Sequence, residues 1–248
     1  MSLPQGVADV LRYNARFYAL AAAAALLALL AAAQPLAPPL RAALGAFGVL
    51  TALLMLSSLA VSHHVYDRSA LRSWSWLAPR LPRAPGRWAV VHAGLDEASA
   101  DLARLFPRAT GVALDVYAAE ATSEPSIARA RTLRPAGRPA LSARHDALPL
   151  APASVDLAVL FFAAHELRAP AARERLFAEL RRALAPGGTL LLVEHLRDAP
   201  NLLAFGPGAL HFLPRREWLR VAQVAGLRLR EEAPITAFVR AFFLEGAG

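Results

Sequence analysis

The stretch Asp156–His195, DLAVLFFAAHELRAPAARERLFAELRRALAPGGTLLLVEH, limits the architectures open to this chain more than any other part of it. It opens with an unbroken apolar run, Leu157 to Phe162, of strand length and suited to burial on both faces of a parallel sheet. Pro170 suits a first helical turn. Leu176, Phe177, Leu180, Ala183 and Leu184 then recur at helical spacing, with arginines and glutamates on the other face. Pro186-Gly187-Gly188 stops the helix, since proline cannot continue it and glycine accepts the left-handed exit. Thr189–Val193 is a second apolar run of strand length. Strand, helix and strand with short connections make a βαβ unit, whose crossover is expected to be right-handed. His165, Glu166, Glu194 and His195 follow the two strands, at the carboxyl edge where open α/β sheets bind ligands.

The alternation continues on either side. Trp88–His92, Thr110–Val116 and a weak Ala140–Ala143 read as strands, and Glu97–Leu105 and Ser126–Leu133 as helices, which predicts a parallel sheet. After His195 comes LRDAPNLLAFGPGALHFLP, read as a long loop rich in proline and glycine yet largely apolar. Loops of that length within a compact domain are usually functional or lid-like. Arg215–Ala225 reads as a helix with Gly226 at its end, and Leu227–Glu231 with Ile235–Leu244 as a closing pair of strands.

Upstream of Trp88 the pattern is different. The hydrophobic fraction of the chain is 56%, above the roughly 45–50% of soluble domains. Met1–Arg16 is a polar-apolar mixture carrying Arg12 and Arg16. Phe17–Ala33 is an uncharged run near the lower length limit for a spanning helix, and Ala42–Ser62 is a longer one, with Gln34-Pro35 and Pro38-Pro39 between them. A second run so close behind the first favours a helical hairpin over a cleaved signal peptide. Arg12 and Arg16 precede the hairpin, Arg68, Arg72, Arg80, Arg83 and Arg87 follow it, and Arg41 is the one arginine of the connection. Positive-inside bias then puts both termini on the cytoplasmic side, at the inner membrane of the cell. Tyr66, Trp74 and Trp76 suit an interfacial collar, and Pro79, Pro82, Pro85 and Gly86 a stiff linker. The expected division is a membrane hairpin over 1–64, a collar and linker over 65–86 and an α/β domain over 87–248. A chain beginning near Arg83 is then expected to stand alone as a soluble domain.

The formal net charge is +8 and every basic residue is arginine. The arginines are spread over helix faces, with no cluster interleaved with stacking aromatics, so a nucleic-acid partner is not expected. The absence of cysteine excludes disulfides, thiolate metal sites and a cysteine nucleophile. His165-Glu166 is too sparse for a metal site, and no metal is expected.

The runs LPLAPASVDLAVLFFAAHELR and ELRRALAPGGTLLLVEH resemble the second half of a class I S-adenosylmethionine-dependent methyltransferase, of the type 11 group that includes quinone-biosynthesis enzymes. The resemblance covers about Arg87 to Glu245. It implies a doubly wound, mostly parallel, Rossmann-like sheet of seven strands with one antiparallel strand, preceded here by two transmembrane helices. It also implies S-adenosylmethionine as cofactor. Gly94 matches the first glycine of the family's turn, but Asp96 and Ala98 stand where further glycines usually lie. Asp96 either pairs with the cofactor's ammonium or crowds a degenerate pocket. Asp115, ending its strand about twenty residues after Gly94, matches the ribose-binding acid, and Asp146 the acid that meets the adenine amino group. His92 and Phe162, at the ends of the first and central strands, complete the expected cofactor set. For a general base the candidates are His165, Glu166, Glu194 and His195 at the sheet edge, with Asn201 and His211 on the lid-like loop. Histidine titrates near neutrality, and His165, Glu166, His195 and His211 are the expected catalytic residues.

The expected function is methyl transfer to a small or lipid-like acceptor by a membrane-anchored enzyme facing the cytoplasm. The altered glycine turn supports a rival, a non-catalytic domain of the same fold acting as a membrane-bound scaffold.

Overall fold

The computed structural model describes residues 4–117, 125–133 and 139–247. Its first helix, α1 (Gln5–Tyr13), falls within the stretch read from sequence as a mixture. Val7, Val10 and Leu11 have the spacing of one helical face and were the available signal. Gly6 donates its amide hydrogen to Asp67 Oδ1 at 2.8 Å. A β-carbon on Gly6 would lie 2.6 Å from the β-carbon of Tyr66, so this approach requires glycine.

The two uncharged runs form α2 (Ala15–Ala32) and α3 (Pro38–Ser62). Pro38 and Pro39 do more than interrupt the first run. They open α3, where a fixed φ and a missing N–H cost nothing. The two helices are antiparallel neighbours joined by a Tyr18–Ser58 hydroxyl bond of 2.7 Å. Both are long and apolar enough to cross a membrane, with mean hydropathies of 1.9 and 2.1 in windows only 11% and 6% buried. Their exposed surface is leucine-rich, as at Leu20, Leu27, Leu53 and Leu56.

A π-helical turn, His63–Arg68, continues α3, and short 3-10 turns follow at Ala70–Ser73 and Ala78–Arg80. The α/β part then runs through β1 (Arg87–His92), α4 (Ser99–Leu105), β2 (Thr110–Asp115), α5 (Pro125–Leu133), β3 (Leu141–Ser142) and β4 (Val155–Phe161). It closes with α6 (Pro170–Ala183), β5 (Leu184–His195), α7 (Ala199–Phe205), α8 (Arg215–Val224), β6 (Leu227–Pro234) and β7 (Val239–Gly246). The seven strands lie in the order β3-β2-β1-β4-β5-β7-β6. Pairings from β3 to β5 are parallel, and β7 runs antiparallel to both its neighbours. β5 begins at Leu184, ahead of Pro186-Gly187-Gly188, and the register with β4 slips between Val155 and Leu157 to accommodate that turn.

One sheet face packs against α6 and α8 through Leu176, Phe177, Leu180, Trp218 and Val221. The other carries α4 together with the segment after α3: Val65, Leu71, Trp74, Trp76 and Leu77 are all buried there. Trp74 stacks on Phe161 at 4.8 Å and on Trp76 at 5.7 Å. The tryptophans expected at a membrane interface therefore belong to the core. A bare sheet face of Leu157, Val159, Leu191 and Val193 offers more apolar contact than an interface does, and the short 3-10 turns let both indoles reach it.

The apolar stretch after His195 is also not a loop. Asp198 accepts a hydrogen bond from the Asn201 amide at 3.1 Å and Pro200 sits in the first turn, so α7 forms, followed by a 3-10 segment, Gly206–His211. α7 packs against α3.

Candidate functional site

Parallel pairing brings the ends of β1, β2, β4 and β5 to one edge, and the predicted residues gather there in two groups. In the first, Gly94 turns the chain out of β1 with φ +106, a conformation costly for any side chain. Its amide donates to His92 Nδ1 at 3.3 Å. That leaves Nε2 of His92 carrying the proton, buried and without a hydrogen-bond partner among the described residues; burial holds this histidine below its ordinary pKa. Asp96 turns toward α4, accepting from the amides of Ala98 and Ser99 at 3.1 and 2.9 Å and from the Ser99 hydroxyl. It ties down the turn that leads into the helix, whose N-cap is Ala98.

Asp115 pairs in register with His92 at the end of β2. One oxygen accepts from the Tyr117 amide at 2.9 Å, and the other is ion-paired with Arg131 of α5, whose guanidinium lies 4.4 Å over the Tyr117 ring. Asp146 stands apart on the segment after β3. Arg144 grips it through two bonds of 2.9 and 3.0 Å and lowers its pKa to about 2. Both acids assigned to the nucleoside thus carry an arginine.

The second group is buried. His165 Nδ1 meets Glu194 Oε2 at 2.7 Å and its Nε2 meets Glu166 Oε1 at 3.1 Å. Glu194 is fully buried and its other oxygen accepts from the amides of Ala164 and His165. Two carboxylates can only accept, so the ring between them donates from both nitrogens and is an imidazolium. Burial opposes that charge, yet Glu194 and Glu166 outweigh it and raise the pKa to about 10. Glu166 is correspondingly lowered, against its own burial, by His165. The loop bearing this pair is fastened from behind. Buried Arg173 donates to the carbonyls of Leu167 and Arg168 at 2.6 and 2.9 Å and to Glu217 at 2.9 Å.

His195 is different in character. Its Nδ1 donates to the Phe238 carbonyl at 2.9 Å, which leaves Nε2 with the lone pair. The ring is sandwiched between Phe162 at 4.8 Å and Phe212 at 4.9 Å, and burial drives its pKa to about 3. Phe162 reaches it from a left-handed backbone, φ +50, of the strained kind that collects at functional sites. His211 lies 5.7 Å from His165, ring to ring, and is held near 4, chiefly by burial.

All four predicted catalytic side chains therefore come together, joined by Glu194. His92, Gly94 and Asp115 form the first cluster across β1 and β2, with Asp96 folded onto α4 and Asp146 held by Arg144. Sequence reasoning missed Tyr66, whose hydroxyl lies 2.9 Å from His195 Nε2 and whose ring meets Phe162 edge-on at 6.0 Å. The two are separated by 129 positions, and no local pattern links them.

Residues 93–192 match the family model described as a methyltransferase domain. That segment runs from the turn after β1 through most of β5. No curated protein matches the chain. Among solved structures, human N-acetylserotonin methyltransferase, determined with S-adenosylmethionine, is 16% identical with a TM-score of 0.52, over 81% of this chain and 56% of that one. The PH0226 protein of Pyrococcus horikoshii OT3 is 14% identical, TM-score 0.51, over 74% and 95%. The cyclase SpnF is 15% identical, TM-score 0.50, over 71% and 81%. Likeness of this degree establishes the fold: the sheet is that of the class I methyltransferases, and residues 93–192 are similar to a methyltransferase domain.

Proposed function

We propose that this protein transfers a methyl group from S-adenosylmethionine to a lipid-like acceptor, held at a membrane by α2 and α3. The observation that carries the reading is the first cluster, where a glycine turn, a strand-ending acid and a buried histidine whose Nε2 has no partner among the described residues meet at the start of the segment similar to a methyltransferase domain. These groups fit a nucleoside-bearing cofactor. Gly94 lets backbone approach it, Asp115 offers a carboxylate to ribose hydroxyls, and His92 Nε2–H is a buried donor awaiting an acceptor. Asp146 would serve the adenine amino group, and Phe162 the face of the ring system. Bound there, the cofactor supplies a methyl group on a positively charged sulfur.

What the chain contributes is placement and charge. Asp96 is spent on α4, so it is not a free partner for the cofactor's ammonium. The His165 imidazolium between two carboxylates carries no lone pair and acts by its charge and by fixing the edge after β4. Holding acceptor and methyl in reactive alignment supplies much of the rate in such a transfer.

A membrane setting is supported by the exposed leucines of α2 and α3. The acceptor's lipid-like character is supported by α7, which lies against α3 with Leu202, Leu203 and, just beyond it, Leu210 outward. A cleft of about 420 Å³ runs between Ser57 and Val61 of α3 and Ala199, Pro200, Leu203 and Ala204 of α7, with Phe238 at its side. The arginine distribution supports a catalytic domain that faces the cytoplasm at an inner membrane.

One observation favours the alternative of a non-catalytic, membrane-bound scaffold, namely that Asp115 and Asp146 are each occupied by an arginine. Calorimetric titration of the full-length protein in detergent with S-adenosylmethionine decides between them. Saturable binding is expected; no heat up to millimolar cofactor would leave the scaffold.

A further inference from the structure

The Nε2 lone pair of His195 is an acceptor within the buried aromatic site, and Tyr66 occupies it. Nδ1 is committed as a donor to a carbonyl, which can only accept, so Nε2 must receive the Tyr66 hydroxyl proton across 2.9 Å. Tyr66 is the one partner in this arrangement that does not come from the α/β chain order. It sits on the π-helical turn that continues α3, and π-turns recur where a helix has been adapted to a functional site. Its ring is wedged edge-on against Phe162 and His195. Glu97, on the turn after β1, and Glu194, on β5, both act on its hydroxyl through their charge. The phenol therefore lies against His195 and Phe162 at the carboxyl edge of the sheet, where an acceptor would have to be presented.

We infer that Tyr66 is an internal stand-in for the acceptor: a phenolic ring takes the place of the Tyr66 ring, edge-on to the stacked Phe162 and His195, and its hydroxyl donates a hydrogen bond to His195 Nε2. The inference rests on the methyltransferase reading and names the substrate class of that site as hydroxylated aromatics. His195 serves as the orienting acceptor of the hydroxyl hydrogen bond. Its strongly suppressed basicity suits it to aim an oxygen and not to hold a proton at neutral pH. Because Tyr66 is borne by the end of α3 and pinned by Gly6 of α1 through Asp67, exchange of one phenol for another involves the hairpin's end. The hairpin is then part of the acceptor site.

The test uses full-length protein in detergent and 4-octylphenol as the probe, with binding measured by calorimetry. Tyr66→Phe removes the competing hydroxyl and keeps the ring. It is expected to bind the probe about tenfold more tightly than wild type, the worth of one hydrogen bond. S-adenosylmethionine affinity should stay close to wild type, and the melting temperature without probe should fall, because His195 Nε2 is left buried without a donor. The gain should vanish in the double variant Tyr66→Phe/His195→Phe, which keeps the aromatic sandwich without the acceptor nitrogen. A Tyr66→Phe protein that binds the probe no better than wild type overturns the inference, as does a gain that survives in the double variant. Failure of wild type to bind S-adenosylmethionine would instead remove the methyltransferase reading, with the phenol comparison still legible.

Discussion

Individual side chains decide whether this domain is an enzyme. Asp115 is shared between the Tyr117 amide, Arg131 and, on our reading, ribose hydroxyls. Hydrogen bonds to a charged group are worth about 1.5–3 kcal/mol, so Asp115→Ala is expected to weaken S-adenosylmethionine binding by one to two decades. Arg131→Ala removes the resident competitor and is expected to tighten binding, because an exposed ion pair of this kind contributes little to stability. Parallel loss of affinity in both variants would mean the arginine holds the cofactor. The buried pair makes a separate prediction about pH. His165 has a folded pKa of about 10 against an ordinary 6.5. Its stabilisation is therefore complete below 6.5 and disappears as pH rises toward 10. Wild-type melting temperature should fall across that window, and the fall should be smaller in His165→Gln/Glu194→Gln, where neither charge remains. Equal slopes in the two proteins would show that the pair is not ionised as described.

Among the elements, the segment from His63 to Arg80 has the largest consequence for its length. It supplies two tryptophans to one sheet face and Tyr66 to the site edge. Trp74→Ala should cost about 3–5 kcal/mol, as for other large buried aromatics, read as a shift in denaturant midpoint. α1 depends on Gly6 in a sharper way. Gly6→Ala places a methyl group on the Tyr66 β-carbon, so α1 should detach from the turn. Faster hydrogen exchange confined to α1 and the His63–Arg68 turn is the expected signature, and unchanged protection there would show that the contact tolerates a β-carbon.

For the whole molecule, the outcome is a hairpin built into the domain and not merely tied to it. The full-length protein is expected to remain with membranes after carbonate washing, and recovery in the soluble fraction would refute the anchor. A chain beginning at Arg83 lacks Val65, Leu71, Trp74, Trp76 and Leu77, which leaves a hydrophobic sheet face open to water. It should aggregate, contrary to the independence that the proline-rich stretch implies, while a chain beginning at His63 keeps that cover. If the shorter chain is monomeric and melts like the longer one, the segment is dispensable.

The seven-strand sheet with its antiparallel strand was what the family resemblance implied, while the strand-helix-strand unit and the two uncharged helices were legible because hydrophobic period and helix-stopping residues are local properties of a chain. So were the four candidate histidines and glutamates after β4 and β5, since parallel strands deliver their carboxyl ends to one edge. α7 was legible only in part, as its cap at Asp198 is local but its proline and glycine content reads as loop. What tertiary structure alone decided is the partner of each charge. Asp96 became tied to the turn before α4, Asp115 and Asp146 acquired arginines, His165 became cationic between two glutamates, and His195 stayed neutral under Tyr66. Protonation and hydrogen-bond direction depend on groups brought close from distant positions in a dry interior, and no spacing along the chain encodes that proximity.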